Sequence, residues 1–294
     1  MIGTAAPIDR VFLELGPLTI YWYGIIIAVG AVLAVYLATR EAERVGLGKE
    51  TIMDFIIFAV PIAIISARIY YVLFEFDQYI NGPLWKMIAI WEGGIAIHGA
   101  IIGGVLTAIV FAKVKKISFW RLADIVAPSL ILGQAIGRWG NFVNQEAHGG
   151  PISEAAYESF HQYLPDFIMN QMVIDGVMYH PTFLYESAWN FLIFFGLLFL
   201  RRMNPRRGMV FLTYAVTYSI GRFFIEGLRT DSLYIIGELR TAQVVSILTI
   251  VAGVLIMLYL MKTTKARYLD VPAKKKQSKQ TNKNKNKSKK KKKK

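Results

Sequence analysis

The chain has no cysteine, so a disulfide framework, a thiolate zinc site and a cysteine nucleophile are all excluded. Histidine is scarce too, at four in 294 residues, and charged residues make up only 18%. Apolar residues fill the space: 54% of the chain is hydrophobic, more than soluble globular domains usually carry. The net charge of +14 invites a nucleic-acid reading, but it is confined to one end. Residues 262–294 hold sixteen Lys or Arg against one acid, Asp270, leaving eighteen basic and nineteen acidic groups in the rest, a net charge of −1. The body is close to neutral and carries a basic tail.

A bilayer core asks for about 20 mostly apolar residues per helix. Seven stretches answer that description: 18–38, 52–73, 93–112, 122–136 (the shortest), 181–200, 209–225 and 241–261. The expected fold is therefore an all-α polytopic membrane protein with seven transmembrane helices. The expected catalytic domain is 1–261, with a non-spanning segment at 137–180, followed by a lysine-rich disordered tail at 262–294. The first stretch lacks a preceding basic region and a following small-residue cleavage pattern, so it reads as a span and not as a removed signal.

Orientation follows from lysine and arginine in the short connections. Loops 39–51, 113–121 and 201–208 carry eleven between them, on the side of the tail; the other side carries Arg10, Lys86, Arg138, Arg229 and Arg240. The N-terminus is thus expected outside and the C-terminus in the cytoplasm, where the tail would lie near anionic headgroups or act only as a solubilising segment. With that orientation the costly residues cluster by depth. His98 lies about six residues, or ~9 Å, below the outer edge of the third span. Tyr23, Arg68, Arg138, His180, Glu186 and Arg222 all fall in the outer half or at its margin. Charges inside spans usually face a polar interior or a functional site.

The segment Gly137-Arg138-Trp139-Gly140-Asn141-Phe142-Val143-Asn144-Gln145-Glu146, then Ala147-His148-Gly149-Gly150, gathers an arginine, carboxamides, a carboxylate and glycines. Guanidinium binds phosphate through a planar fork, and glycine allows close backbone approach. Each residue has a plainer reading: Arg138 as an interfacial arginine, Arg222 as the partner of Glu226 four residues on, His98 as a helix–helix hydrogen bond. His148 and His161 suggest no role. Together the set points to chemistry on a phospholipid headgroup. A transporter would line both halves of the membrane with polar groups, whereas the inner half offers only Asp54 and Asp124, near span ends. Another headgroup transferase or hydrolase stays open on these grounds.

The stretch 137–146 also resembles the signature Gly-Arg-x-Gly-Asn-Phe-x-Asn-x-Glu of the prolipoprotein diacylglyceryl transferases. Four further blocks are similar to that family and stand in its order: Trp22-Tyr23-Gly24, His98-Gly99, His180-Pro181-Thr182-Phe183-Leu184-Tyr185-Glu186, and Tyr218 through Arg229. The resemblance spans about 18–260; Ala100-Ile101 departs from it where a further glycine is common, and the tail lies outside it. It implies transfer of the sn-1,2-diacylglyceryl group from phosphatidylglycerol to the lipobox cysteine of a preprolipoprotein. A thioether forms and sn-glycerol 1-phosphate leaves, with no metal or other cofactor needed, in a bacterial plasma membrane with the site facing the outer leaflet. By the same resemblance Arg138 binds phosphatidylglycerol, and Arg222 is the second essential arginine, with Glu226 beside it. His98 lies near the thiol as its base or an orienting group, and Tyr23 and Tyr218 hydrogen-bond in the site. Asn141, Glu146 and Gly149 shape the headgroup loop.

Overall fold

The protein is described by a computed structural model covering residues 8–80, 82–230, 234–236 and 239–270. Its order is a hairpin β1 (Val11–Leu15) and β2 (Leu18–Tyr21), then helices α1 (Trp22–Arg44), α2 (Thr51–Phe74), α3 (Ile97–Val114) and α4 (Phe119–Asn144). Two short helices follow, α5 (Glu154–Ser159) and α6 (Asp166–Met169), with a small hairpin β3 (Val173–Ile174) and β4 (Val177–Met178). Helices α7 (Thr182–Arg202), α8 (Met209–Glu226) and α9 (Thr241–Thr263) complete the bundle, with β5 (Tyr234–Ile236) and β6 (Leu239–Arg240) before the last.

Among the described residues six helices, α1, α2, α3, α4, α7 and α9, are long and apolar enough to cross a bilayer. The expected sixth span forms as α8, 18 residues that carry Arg222 and Glu226 near their end, and it is not among the six. Successive long helices run up and down. The starts of α1, α3, α7 and α9 therefore share one end of the bundle with the finishes of α2, α4 and α8.

Several boundaries differ from the sequence expectation: α3 begins at Ile97 and not at 93, which puts His98 in its first turn, and α1 runs on past 38 to Arg44. The first helix starts at Trp22 and not at residue 18, because Leu18–Tyr21 pairs with Val11–Leu15 across a turn at Gly16, whose φ of +59° suits glycine. The fourth helix is much longer than 122–136. It continues through the polar signature to Asn144, so Gly137–Asn144 is helical and the connection opens only at Gln145. Hydropathy falls after Ile136, but α4 lies at the centre of the bundle, against α1, α7 and α8, and neighbouring helices can satisfy its polar groups.

Packing explains several glycines. Gly99 and Gly103 face Ser66 on α2, where a Cβ would clash with backbone or side chain, so α2 and α3 can pack closely. At the end away from the signature, Glu41 is buried among Arg44 (2.7 Å), Arg201 (3.0 Å) and the Tyr268 hydroxyl (2.6 Å). Asp124 accepts from the backbone N–H groups of Gly208 (2.6 Å) and Phe211 (2.9 Å), capping α8. Residues 262–270, expected to belong to a disordered tail, are instead folded against the bundle. Helix α9 runs to Thr263, and the strap 264–270 packs on the bundle with Tyr268 only 1% exposed. Residues 271–294, the rest of that tail, lie outside the described residues.

Candidate active site

At the other end, three helices bring charge together. Arg138 projects from the penultimate turn of α4, Glu186 from the first turns of α7 and Arg222 from the last turns of α8. The Glu186 carboxylate stands between the two arginines. Its Oε2 lies 2.5 Å from Arg138 Nε, and its Oε1 accepts from an Arg222 terminal nitrogen at 2.7 Å. A third arginine, Arg229, approaches Oε1 at 3.9 Å, and Arg222 also pairs with Glu226, four residues on, at 2.6 Å. The Glu186 side chain is 5% exposed, whereas Arg138 and Arg222 are 22% and 21% exposed. A carboxylate so buried needs cationic partners, and here it has two at close range. The Arg138 contact is short but poorly aligned, an ion pair and not a formed hydrogen bond.

Polar groups continue the network outward. Arg138 donates weakly to Asn141 Oδ1 at 3.3 Å, and Asn141 Nδ2 donates to Glu146 Oε1 at 2.9 Å. Helix α4 ends in left-handed backbone at Gln145, whose side chain holds the Gln171 carbonyl at 2.9 Å. At Gly149 three strands of backbone meet: its N–H donates to the His180 carbonyl at 2.9 Å, and it bridges Arg229. A Cβ there would lie 2.7 Å from His180 Cβ, so only glycine fits the crossing. Below the arginines a narrow crevice is lined by Glu186, Trp189, Asn190, Tyr218, Gly221, Arg222 and Ile225. Asn190 is 1% exposed and its Nδ2 has no hydrogen-bond partner among the described residues. Trp189 donates to the Thr217 carbonyl at 3.0 Å and rests on Gly221, which has no room for a side chain.

The family profile described as "Prolipoprotein diacylglyceryl transferase" matches residues 10–259. The chain belongs to this family. Among relatives named phosphatidylglycerol–prolipoprotein diacylglyceryl transferase, that of Oceanobacillus iheyensis is 75% identical over 272 residues, covering 92% of this chain and 95% of its own length. The Geobacillus kaustophilus protein is 59% identical over 274 residues, covering 92% of this chain and all of its own. The Bacillus velezensis protein is 59% identical over 259 residues, with coverages of 88% and 94%.

The residues singled out by the family's signature fall into two sets. Arg138, Arg222, Glu226, Asn141 and Glu146 form the connected network, and Tyr218 lines the crevice beside it. Tyr23 reaches the same helix from α1: a Cβ at Gly140 would lie 2.7 Å from its ring, which explains the signature's second glycine. Gly149 serves the backbone crossing behind the loop. His98 stands apart. It is exposed on the first turn of α3, its ring 5.9 Å from that of Tyr70, and among the described residues it makes no hydrogen bond or ion pair with the arginine network. Arg68, the other charge of that helix pair, is occupied in holding the carbonyls of Lys86, Met87, Gly93 and Gly94 at 2.5–2.9 Å.

Sequence reasoning noticed Glu186 and Arg229 but gave them no place among the site residues, and it passed over Trp189 and Asn190. A buried acid one turn into an apolar helix was the available signal for Glu186. His161 also gains a position: its Nε2 lies 2.6 Å from the Tyr185 hydroxyl, which His180 Nδ1 approaches at 3.3 Å. Burial and the neighbouring His161 push the pKa of His180 below the usual histidine value.

Proposed function

We propose that this protein transfers the sn-1,2-diacylglyceryl group from phosphatidylglycerol to the lipobox cysteine of preprolipoproteins, the first step of bacterial lipoprotein maturation. The observation that carries the reading, beside the family membership, is the convergence of Arg138 and Arg222 from separate helices on one buried carboxylate. The cysteine thiolate attacks the glycerol carbon that bears the phosphate. The S–C bond forms, the C–O bond to phosphorus breaks, and the oxygen leaves with its electrons as sn-glycerol 1-phosphate. Negative charge builds on that phosphate, where two guanidinium groups fixed in advance are most effective. Arg138 and Arg222 hold the phosphate; Asn141 and Glu146 meet the glycerol hydroxyls; Gly149 keeps their loop in place.

His98 accepts the thiol proton or orients the group that does, approaching from the α2–α3 side, while Tyr23 and Tyr218 flank the reacting atoms. For the chemistry to meet its substrate, α8 counts as a seventh span and the N-terminus faces outward. Eleven basic residues in the opposite loops against five on the site side support that orientation. It places the site toward the outer leaflet, where an exported lipobox cysteine emerges.

A mass-spectrometric transfer assay tests the proposal: purified protein, phosphatidylglycerol and a peptide bearing a lipobox cysteine. The expected result is a diacylglyceryl mass gain with release of glycerol phosphate, absent with Arg138→Ala and with a Cys→Ser peptide. Folded protein that gives no transfer across several anionic lipids would refute it.

A further inference from the structure

We propose that Glu186 is a positioning residue of this site, holding Arg138 and Arg222 together as a single phosphate cradle from behind. The inference rests on the reading of those arginines as the phosphate-binding pair. Three arginines, Arg138, Arg222 and Arg229, lie within 3.9 Å of this one carboxylate, and each of the first two meets a different oxygen. Without an anion between them the two guanidinium groups repel one another and relax to separate positions on α4 and α8. The carboxylate therefore sets their spacing before any lipid arrives.

Burial decides on which side the carboxylate works. Glu186 is 5% exposed, while the two arginines that contact it are more than 20% exposed, so the guanidinium groups lie between the carboxylate and the exterior. A group occupying the phosphate's own seat would show the opposite order. Each arginine also commits only part of its donor set to protein acceptors. Among the described residues, Arg138 sets Nε against Glu186 in an ion pair and gives one terminal nitrogen to Asn141, and Arg222 divides its two terminal nitrogens between Glu186 and Glu226. A guanidinium has five N–H donors in a rigid fork, so pinning one edge aims the remainder.

The test is the kinetic comparison of Glu186→Gln and Glu186→Asp with the wild-type chain, using phosphatidylglycerol and the lipobox peptide. Glu186→Gln keeps the shape but removes the charge that restrains both arginines. A misplacement of about 1 Å can cost 10²-fold in rate. The expected result is a kcat lowered by about 10- to 100-fold with the KM for phosphatidylglycerol changed less than about 3-fold, since both lipid-binding cations remain. Glu186→Asp, which keeps the charge on a shorter stem, should recover a substantial part of kcat. Wild-type kcat in Glu186→Gln would overturn the proposal, as would a gain in both turnover and lipid affinity, which would make the carboxylate a competitor for the phosphate seat. Failure of both variants to fold would assign Glu186 to stability alone. An Arg138→Ala control that keeps full activity would instead overturn the underlying reading of the arginines.

Discussion

The Tyr268 hydroxyl donates a 2.6 Å hydrogen bond to Glu41, joining the strap after the last long helix to the end of the first, 227 residues away. The contact belongs to the end of the bundle away from Arg138 and Arg222, and it divides the basic C-terminus into a packed part and a remainder. Deleting 272–294 should leave turnover essentially unchanged. Deleting 264–294 should lower thermal stability, because Tyr268 leaves the core and Glu41 loses one of its partners. Tyr268→Ala alone should cost on the order of 3 kcal/mol, by analogy with other large-to-small aromatic changes. Melting in detergent, followed alongside the transfer assay, separates the two truncations. Equal stability for both would contradict the packed role of the strap.

Arg138→Lys and Arg222→Lys should both fail as conservative changes. Lysine keeps the charge but presents a point donor where a fork spans carboxylate and phosphate. The expected loss in kcat is about 10²-fold, or ~2.7 kcal/mol of transition-state stabilisation. Near-wild-type rates for either lysine variant would show that charge without geometry suffices.

Gly221→Ala tests the crevice below the arginines. The added methyl has nowhere to go but into the Trp189 indole, which is held by its bond to the Thr217 carbonyl. Overpacking of this kind costs about 1–3 kcal/mol. A lowered melting temperature together with reduced turnover is expected, and an unperturbed Trp189 fluorescence spectrum would count against it.

His98→Gln should lower turnover by about 10²-fold or more if its ring takes the thiol proton. The affinity for phosphatidylglycerol should stay as in the wild type, because His98 lies apart from the arginine network. Loss of lipid affinity in this variant would place His98 in the headgroup site instead.

The segment between α4 and α7 should weaken in acid. His180 has a folded-state pKa below its ordinary value, so the unfolded chain binds the proton more readily. Stability from this group is present above about pH 6.5 and falls as the pH drops below that toward the folded-state value. His161 and His180 share the Tyr185 hydroxyl, so charging His180 strains the packing at the start of α7. Melting temperatures at pH 5 and pH 7.5 should differ more for the wild type than for His180→Gln. The same pH dependence in both would place its origin elsewhere.

The apolar runs by themselves determined that this is a helical membrane protein, because a stretch long and greasy enough to span a bilayer is a local property that needs no partner. The signature 137–146 and its companion blocks likewise drew attention, through the family resemblance, to Arg138, Asn141, Glu146, Arg222 and Glu226, which the fold joins in one network. Local composition misplaced the end of α4. Gly137–Asn144 is too polar to look like a continuing span, and it stays helical because α1, α7 and α8 surround it. The role of Glu186 could not be read from α7 either, where it is one acid in an apolar stretch. Its partners stand 48 residues before it and 36 after it, and only the packing of α7 antiparallel to both α4 and α8 brings them onto one carboxylate. The separation of His98 from that network has the same origin. Depth in the membrane follows from position along a helix, but adjacency depends on which helix faces which, and that is decided by side-chain packing across the whole bundle.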